Sequence, residues 1–322
     1  MADFLSGENL SLQVGETGAG DLSSPRVLVV GEVLWDVFGE SKRLGGAPLN
    51  FAAHAKRLGC DPLLVSGVGN DLLGACAVKQ IANLGLDAAF IQRSCLNTGT
   101  AEVHLGAGDR TRFVISRPAA YDSVCISDEV LDRLVEWSPH WLYYGTLFAA
   151  TPNGKAAWDR LMETFPACLR FYDLNLRPGY DSAELVAELL GRADVVKLNE
   201  DEAGAVHTIT GLSRDTETFC REGSKRFGWS AVCVTLGSRG CAMLCGGEYV
   251  EARGCTVDVA DPVGAGDAFA AAFLHGIVSK WPVDEIAHFA NRVGALVASR
   301  AGAIPDWTMQ EAAAPILGHM IR

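Results

Sequence analysis

Short runs of β-branched and aromatic residues recur along the chain, beginning with RVLVVGE at Arg26–Glu32 and continuing with PLLVSGV, HWLYYG, LRFYDL, DVVKL and AVCVTLG. A run that is apolar at nearly every position predicts a strand covered on both faces, as in a parallel sheet. Between several of these runs the apolar period lengthens to that of a helix, in APLNFAAHAKRLG, LLGACAVKQIANLG, SAELVAELLG and DTETFCREGSKRFG, and most of these end on a glycine stop. Strand and helix alternate, which predicts an α/β fold: a doubly wound, mainly parallel central sheet flanked by helices.

Two stretches break the alternation. EVLWDVFGESKRLGG and TGTAEVHLGAGDRTRFVISR read as strand and turn with no helix between, and GAGD at Gly106–Asp109 is a hairpin-turn signal. They predict a small separate β-sheet, with strands from about 33–46 and 98–117, serving as a lid over a cleft; the plainer alternative is an edge extension of the main sheet. Residues 1–25 are expected to be a flexible leader, because 6–24 are polar and glycine-rich, and 26–322 to form one domain, since no repeat or proline-rich linker divides them.

Composition narrows the function. A formal net charge of −12 lacks the basic footprint of a nucleic-acid binder, so a phosphate-bearing ligand needs local cations or backbone dipoles. No stretch approaches the length of a membrane span, and no signal peptide opens the chain. Ten cysteines lie scattered without a CxxC pair and seven histidines stand apart, which fits reduced thiols in a cytoplasm and no zinc site.

The chemistry concentrates where strands end. DPVGAGDAFAAAFLHG at Asp261–Gly276 runs a glycine-rich turn into a helix, whose free N–H groups make an anion site. Asp267 either caps that helix or takes a proton from an attacking group. In LGGAPLNFAAHAKRLG two glycines precede a helix that bears Asn50. DLNLR places Asp173, Asn175 and Arg177 at alternate positions, hence on one face if the strand continues. KLNEDE sets Asn199 and Glu202 three apart, where Asn199 could equally be a helix cap, and VTLGSRG closes a strand with Thr235, Gly237 and Gly240. A Walker loop is absent, and GVGNDLLG misses the dinucleotide fingerprint, which disfavours a dehydrogenase.

Taken in order, these motifs resemble the ribokinase-like (phosphofructokinase-B type) carbohydrate kinases, over about Arg26–Asp306. The resemblance implies ATP and Mg²⁺ as cofactors and a small-molecule sugar as acceptor. It implies Asp267 as general base, the backbone of Gly264, Ala265 and Gly266 as anion hole, and Asp36, Gly45, Gly46 and Asn50 on the sugar. Arg117 and Arg177 become substrate-side cations, with Asp173 and Asn175 beside them. Asn199 and Glu202 match an N-x-x-E motif tied to Mg²⁺ and phosphate placement, Glu202 acting indirectly. Thr235, Gly237 and Gly240 match a nucleotide turn, and Asn291 falls at the adenine pocket. Asp261, Val263 and the loop 300–302 would offer oxygens to a monovalent cation such as K⁺.

GEVLWDVF, GGAPLNFA and YYGTLFAAT are most similar to the fructokinase branch, with Ala47 where the ribokinase branch carries lysine. FVISRPAAY and DLNLRP also suit 2-keto-3-deoxygluconate kinases, and a ribose kinase or a non-catalytic sugar sensor of the same fold are the remaining alternatives. Two departures stand out: Pro262 replaces a common threonine, and PGYD follows Arg177 without the aromatic continuation of many fructokinases. Pairing of two chains through the lid strands is a further expectation.

Overall fold

The computed structural model describes residues 24–105 and 111–313; residues 1–23 of the expected leader and the expected hairpin turn at 106–109 lie outside them. The main sheet holds β1 (Arg26–Val30), β4 (Asp61–Gly69), β5 (Ile91–Ser94), β8 (Trp141–Tyr144), β9 (Leu169–Asp173), β10 (Val195–Asn199), β11 (Ala231–Thr235), β12 (Gly240–Cys245) and β13 (Glu248–Arg253). Their spatial order is β13-β12-β11-β10-β9-β8-β1-β4-β5. Pairing is parallel from β5 through β11, and only β12 and β13 run antiparallel.

Strand β1 shows why the apolar runs are unbroken. Val27 and Val29 enter the core on one face of the sheet while Leu28 and Val30 enter the core on the other, all four fully buried. On the first face lie α1 (Ala47–Arg57), α2 (Leu72–Asn83), α9 (Ala265–Val278), α10 (Val283–Ala298) and α11 (Met309–Ala313). Helices α3 (Asp128–Trp137), α4 (Thr146–Ala149), α5 (Pro152–Thr164), α6 (Ala183–Gly191), α7 (Glu200–Thr210) and α8 (Thr216–Phe227) cover the second.

The two stretches without helices form a second sheet: β2 (Leu34–Phe38), β3 (Ser41–Gly45), β6 (Gly99–Leu105) and β7 (Thr111–Ser116), in the order β3-β2-β6-β7. They are therefore not an edge extension of the main sheet. Strands β2 and β6 run parallel, joined by hairpin partners on either side. Chain order reverses around β1, which lies between β4 and β8, and such a reversal opens a crevice at the carboxyl ends of the strands. The small sheet begins four residues after β1 ends, and so stands over that crevice.

Candidate active site

Helix α9 starts at Ala265, and its N-cap is Gly264, at φ 84° and ψ −10°. A side chain at Gly264 would strain that left-handed backbone and put a Cβ 2.4 Å from the Ala303 carbonyl oxygen. No side chain caps this helix, so its first N–H groups face outward. Asp267 does not act as the cap. It lies inside the first turn, 8% exposed, and accepts a hydrogen bond from Asn50 Nδ2 at 2.8 Å. Burial raises its carboxyl pKa to about 7, with Asp173 adding to the shift while Lys197, the Asn50 bond and Arg177 oppose it.

Around Asp267 a cavity of about 180 Å³ is lined by Glu32, Asp36, Gly46, Asn50, Asn175, Arg177, Pro262, Val263, Gly264 and Gly266, with Leu34, Ala47, Ala101 and Ile115. Its roof, Leu34, Asp36, Ala101 and Ile115, comes from the small sheet. Asp36 is buried, and burial together with the nearby Asp267 charge also raises its pKa to about 7. A Cβ on Gly45 would sit 2.5 Å from Asp36 Oδ2, and one on Gly46, at φ 112°, 2.4 Å from the Glu32 carbonyl oxygen. The paired glycines thus let α1 begin against the end of β1. Asn50 lines this cavity, and its Oδ1 atom is buried without a hydrogen-bond partner among the described residues.

Behind the cavity Asp173 makes an ion pair with Lys197 at 2.9 Å and accepts the Tyr143 hydroxyl at 3.0 Å. Burial works against charge on Lys197, yet Asp173, Glu202 and Asp267 outweigh it and raise its pKa. A Cβ on Gly266 would lie 3.4 Å from Lys197 Nζ, so the ammonium rests directly behind the helix start. Helix α1 braces the same region twice. One turn beyond Asn50, His54 contacts the Ala303 carbonyl through Nε2 at 3.0 Å and accepts Trp307 Nε1–H at Nδ1, 3.1 Å away. Burial lowers the His54 pKa to about 4, which keeps the ring neutral with its proton on Nε2.

Not every expected residue reaches the cavity. Strand β9 stops at Asp173 and Asn175 takes a left-handed φ of 43°, so Asp173 points into the Lys197 pair while Asn175 and Arg177 line the cavity. The three do not share a strand face. Arg117 is 5% exposed and its guanidinium is bound to Asp122, through Nε at 3.1 Å and through Nη2. Asn199 caps α7 by accepting Glu202 N–H, and the Glu202 carboxylate accepts N–H groups of Asn199 and Leu176 at 2.8 and 2.9 Å. Thr235 ends β11 with its hydroxyl on the Leu198 carbonyl at 3.4 Å, followed by a tight turn at Gly237–Arg239 and by Gly240 at φ 109°. Asn291 donates from Nδ2 to the carbonyls of Ala252 and Arg253, which ties α10 to β13.

Glu32, Arg43, His54, Tyr143 and Lys197 were not singled out from the sequence. Lys197 carried a signal, a lone charge within the strand run VVKL, which burial makes costly unless a partner waits. Glu32 closes RVLVVGE in the same manner.

A doubly wound sheet, a second sheet over its crevice and a buried acid at an open helix N-terminus together define a ribokinase-like sugar kinase. The chain belongs to the pfkB family of carbohydrate kinases, whose model it matches over residues 17–309. An Escherichia coli fructokinase is 30% identical over 301 residues, 87% of this chain and 95% of that protein. A sugar kinase of Pyrococcus horikoshii, crystallised with ATP, superposes with a TM-score of 0.74 at 26% identity, over 86% of this chain and 94% of that one. A Vibrio cholerae fructokinase, crystallised with fructose, ADP and a potassium ion, gives a TM-score of 0.74 at 25% identity over 88% and 94% of the two chains.

Proposed function

We propose that the protein transfers the γ-phosphoryl group of Mg-ATP to a hydroxyl of an uncharged sugar, with fructose the first candidate. The observation that carries this reading is Asp267: a buried carboxylate with a pKa near 7, held by Asn50 at the mouth of an uncapped helix. A base tuned close to the working pH takes the hydroxyl proton as the oxygen attacks, a contribution of about 10² to 10⁴ in rate. The N–H groups at the start of α9, with Lys197 behind Gly266, supply fixed positive potential for the transferring phosphoryl.

Mg²⁺ enters on the ATP phosphates, where it neutralises charge. Among the described residues no group of three or more His, Cys, Asp and Glu could hold a metal, and both Glu202 oxygens already accept backbone N–H groups, so its part is to fix the end of β10. The sugar is read from charge. Glu32, Asp36 and Asp267 face one guanidinium, Arg177, across the cavity, which suits hydroxyls and disfavours a carboxylate or phosphate on the acceptor. Leu34, Ala101 and Ile115 close the roof, and the small sheet is proposed as the lid that shuts water out.

An ADP-release assay with Mg-ATP against fructose, ribose, 2-keto-3-deoxygluconate, fructose 6-phosphate and adenosine tests this. Fructose is expected to give the highest kcat/KM. A higher value for the sugar acid or the sugar phosphate would overturn the uncharged acceptor, and silence across the panel with ATP bound would leave a sugar sensor.

A further inference from the structure

The loop that opens α9 carries a second acid, Asp261, which is 9% exposed. The family resemblance implies a monovalent cation beside this loop, and the related Vibrio cholerae fructokinase was crystallised with potassium. The acid of this chain that would anchor the ion is already paired with a cation. Asp261 Oδ1 accepts Val263 N–H at 3.1 Å, and Oδ2 accepts Gly302 N–H at 3.0 Å together with Arg43 Nη1 at 2.5 Å. The Ala298 carbonyl accepts the N–H groups of Ala260 and Asp261, and the Ala303 carbonyl lies in hydrogen-bond contact with His54. Both oxygens of the acid that would anchor the cation are thus occupied, one of them by a positive charge.

Arg43 reaches Asp261 for a reason set by strand register. It lies on β3 directly opposite Asp36 on β2, so its stem leaves the face of the small sheet that looks toward the crevice. Its guanidinium also packs against the Phe38 ring, 5.1 Å from the centroid. Asp36, opposite Arg43, feels the charges of Asp267, Arg177, Asp261 and Arg43 itself. A guanidinium is charged at every working pH and matches a carboxylate in shape, so it supplies a cation that does not depend on the ionic medium.

We propose that Arg43 stands in for a monovalent cation at Asp261, so that the anion-hole loop is ordered by a residue of the small sheet and the protein needs no added potassium. The effect on turnover rests on the kinase reading; the effect on potassium binding does not.

The test compares wild type with Arg43→Met in buffers whose only monovalent cation is tetramethylammonium or potassium. Arg43 is 46% exposed, and its loss leaves the core untouched. With fructose and Mg-ATP, wild-type kcat is expected to change by less than about two-fold between the salts, while Arg43→Met loses about 10-fold or more in tetramethylammonium and recovers in potassium. Thermal melting supplies the independent reading: a potassium-specific rise in Tm in Arg43→Met and none in wild type. Wild type that is activated or stabilised by potassium would overturn the proposal, as would a variant indifferent to potassium in its melting. Should wild type turn over no sugar in either salt, the kinase reading fails and the melting comparison still decides the role of Arg43.

Discussion

Asp267 and Asp36 share a cavity, and burial lifts both carboxyl groups to a pKa of about 7. For Asp267 this sets the pH dependence of turnover: a base is needed without its proton, so kcat/KM should climb from acid pH and level off above about 7. Asp267→Asn should cost about 10² or more in kcat while ATP binding holds and the melting temperature does not fall, read by steady-state kinetics and calorimetry. Asp36 gives a prediction of opposite sign for stability. Its folded pKa lies above the ordinary 3.8, so the folded chain keeps a proton that the unfolded chain has lost. The stability this contributes is complete below about pH 4 and is lost as pH rises through about 7. Asp36→Asn should therefore gain up to ~4 kcal/mol relative to wild type on going from pH 4 to pH 8, even as activity falls. Denaturant unfolding at the two pH values checks it.

At the scale of elements, α1 is the brace of the site. It offers Asn50 to the base and His54 to the loop behind the anion hole from positions one turn apart. His54→Phe should strand the Ala303 carbonyl and the Trp307 indole N–H, and cost ~1–3 kcal/mol in unfolding free energy. The strand and helix pattern was readable because the buried strands are mostly apolar and most helices carry their own stops. The helixless stretches likewise announced a separate sheet, and the glycine-rich turn announced the start of α9. Side-chain partners were harder. Arg117 and Asp122 lie five residues apart across a turn, and the alternate spacing in DLNLR misled because Asn175 leaves the strand conformation right after Asp173. The Arg43 to Asp261 contact spans 218 residues, a distance no local pattern encodes. If the small sheet closes on its ligand, sugar should slow hydrogen exchange in β6 and β7, and unchanged exchange there would argue for a fixed roof.

Over the whole molecule, the main sheet gathers the site from distant parts of the chain, because β1 lies between β4 and β8 while α9 returns from the far end to pack on α1. No helix among the described residues is long and apolar enough to cross a membrane. Both faces of the sheet are filled by large buried clusters, and the charged groups of the site sit where these clusters end, at the carboxyl edge of the strands. The arrangement also bears on how the molecule is made. Glu32 and Asp36 are synthesised early, Asn175 and Arg177 near the middle, and Asp267 with the Gly302 amide that fixes Asp261 only near the end. A ribosome must release almost the entire chain before the base meets its amide partner, and a product truncated anywhere before residue 302 carries an incomplete centre. Phosphoryl transfer would thus report that translation has passed residue 302, since no chain that stops before it holds both sides of the cavity and the amide that fixes Asp261.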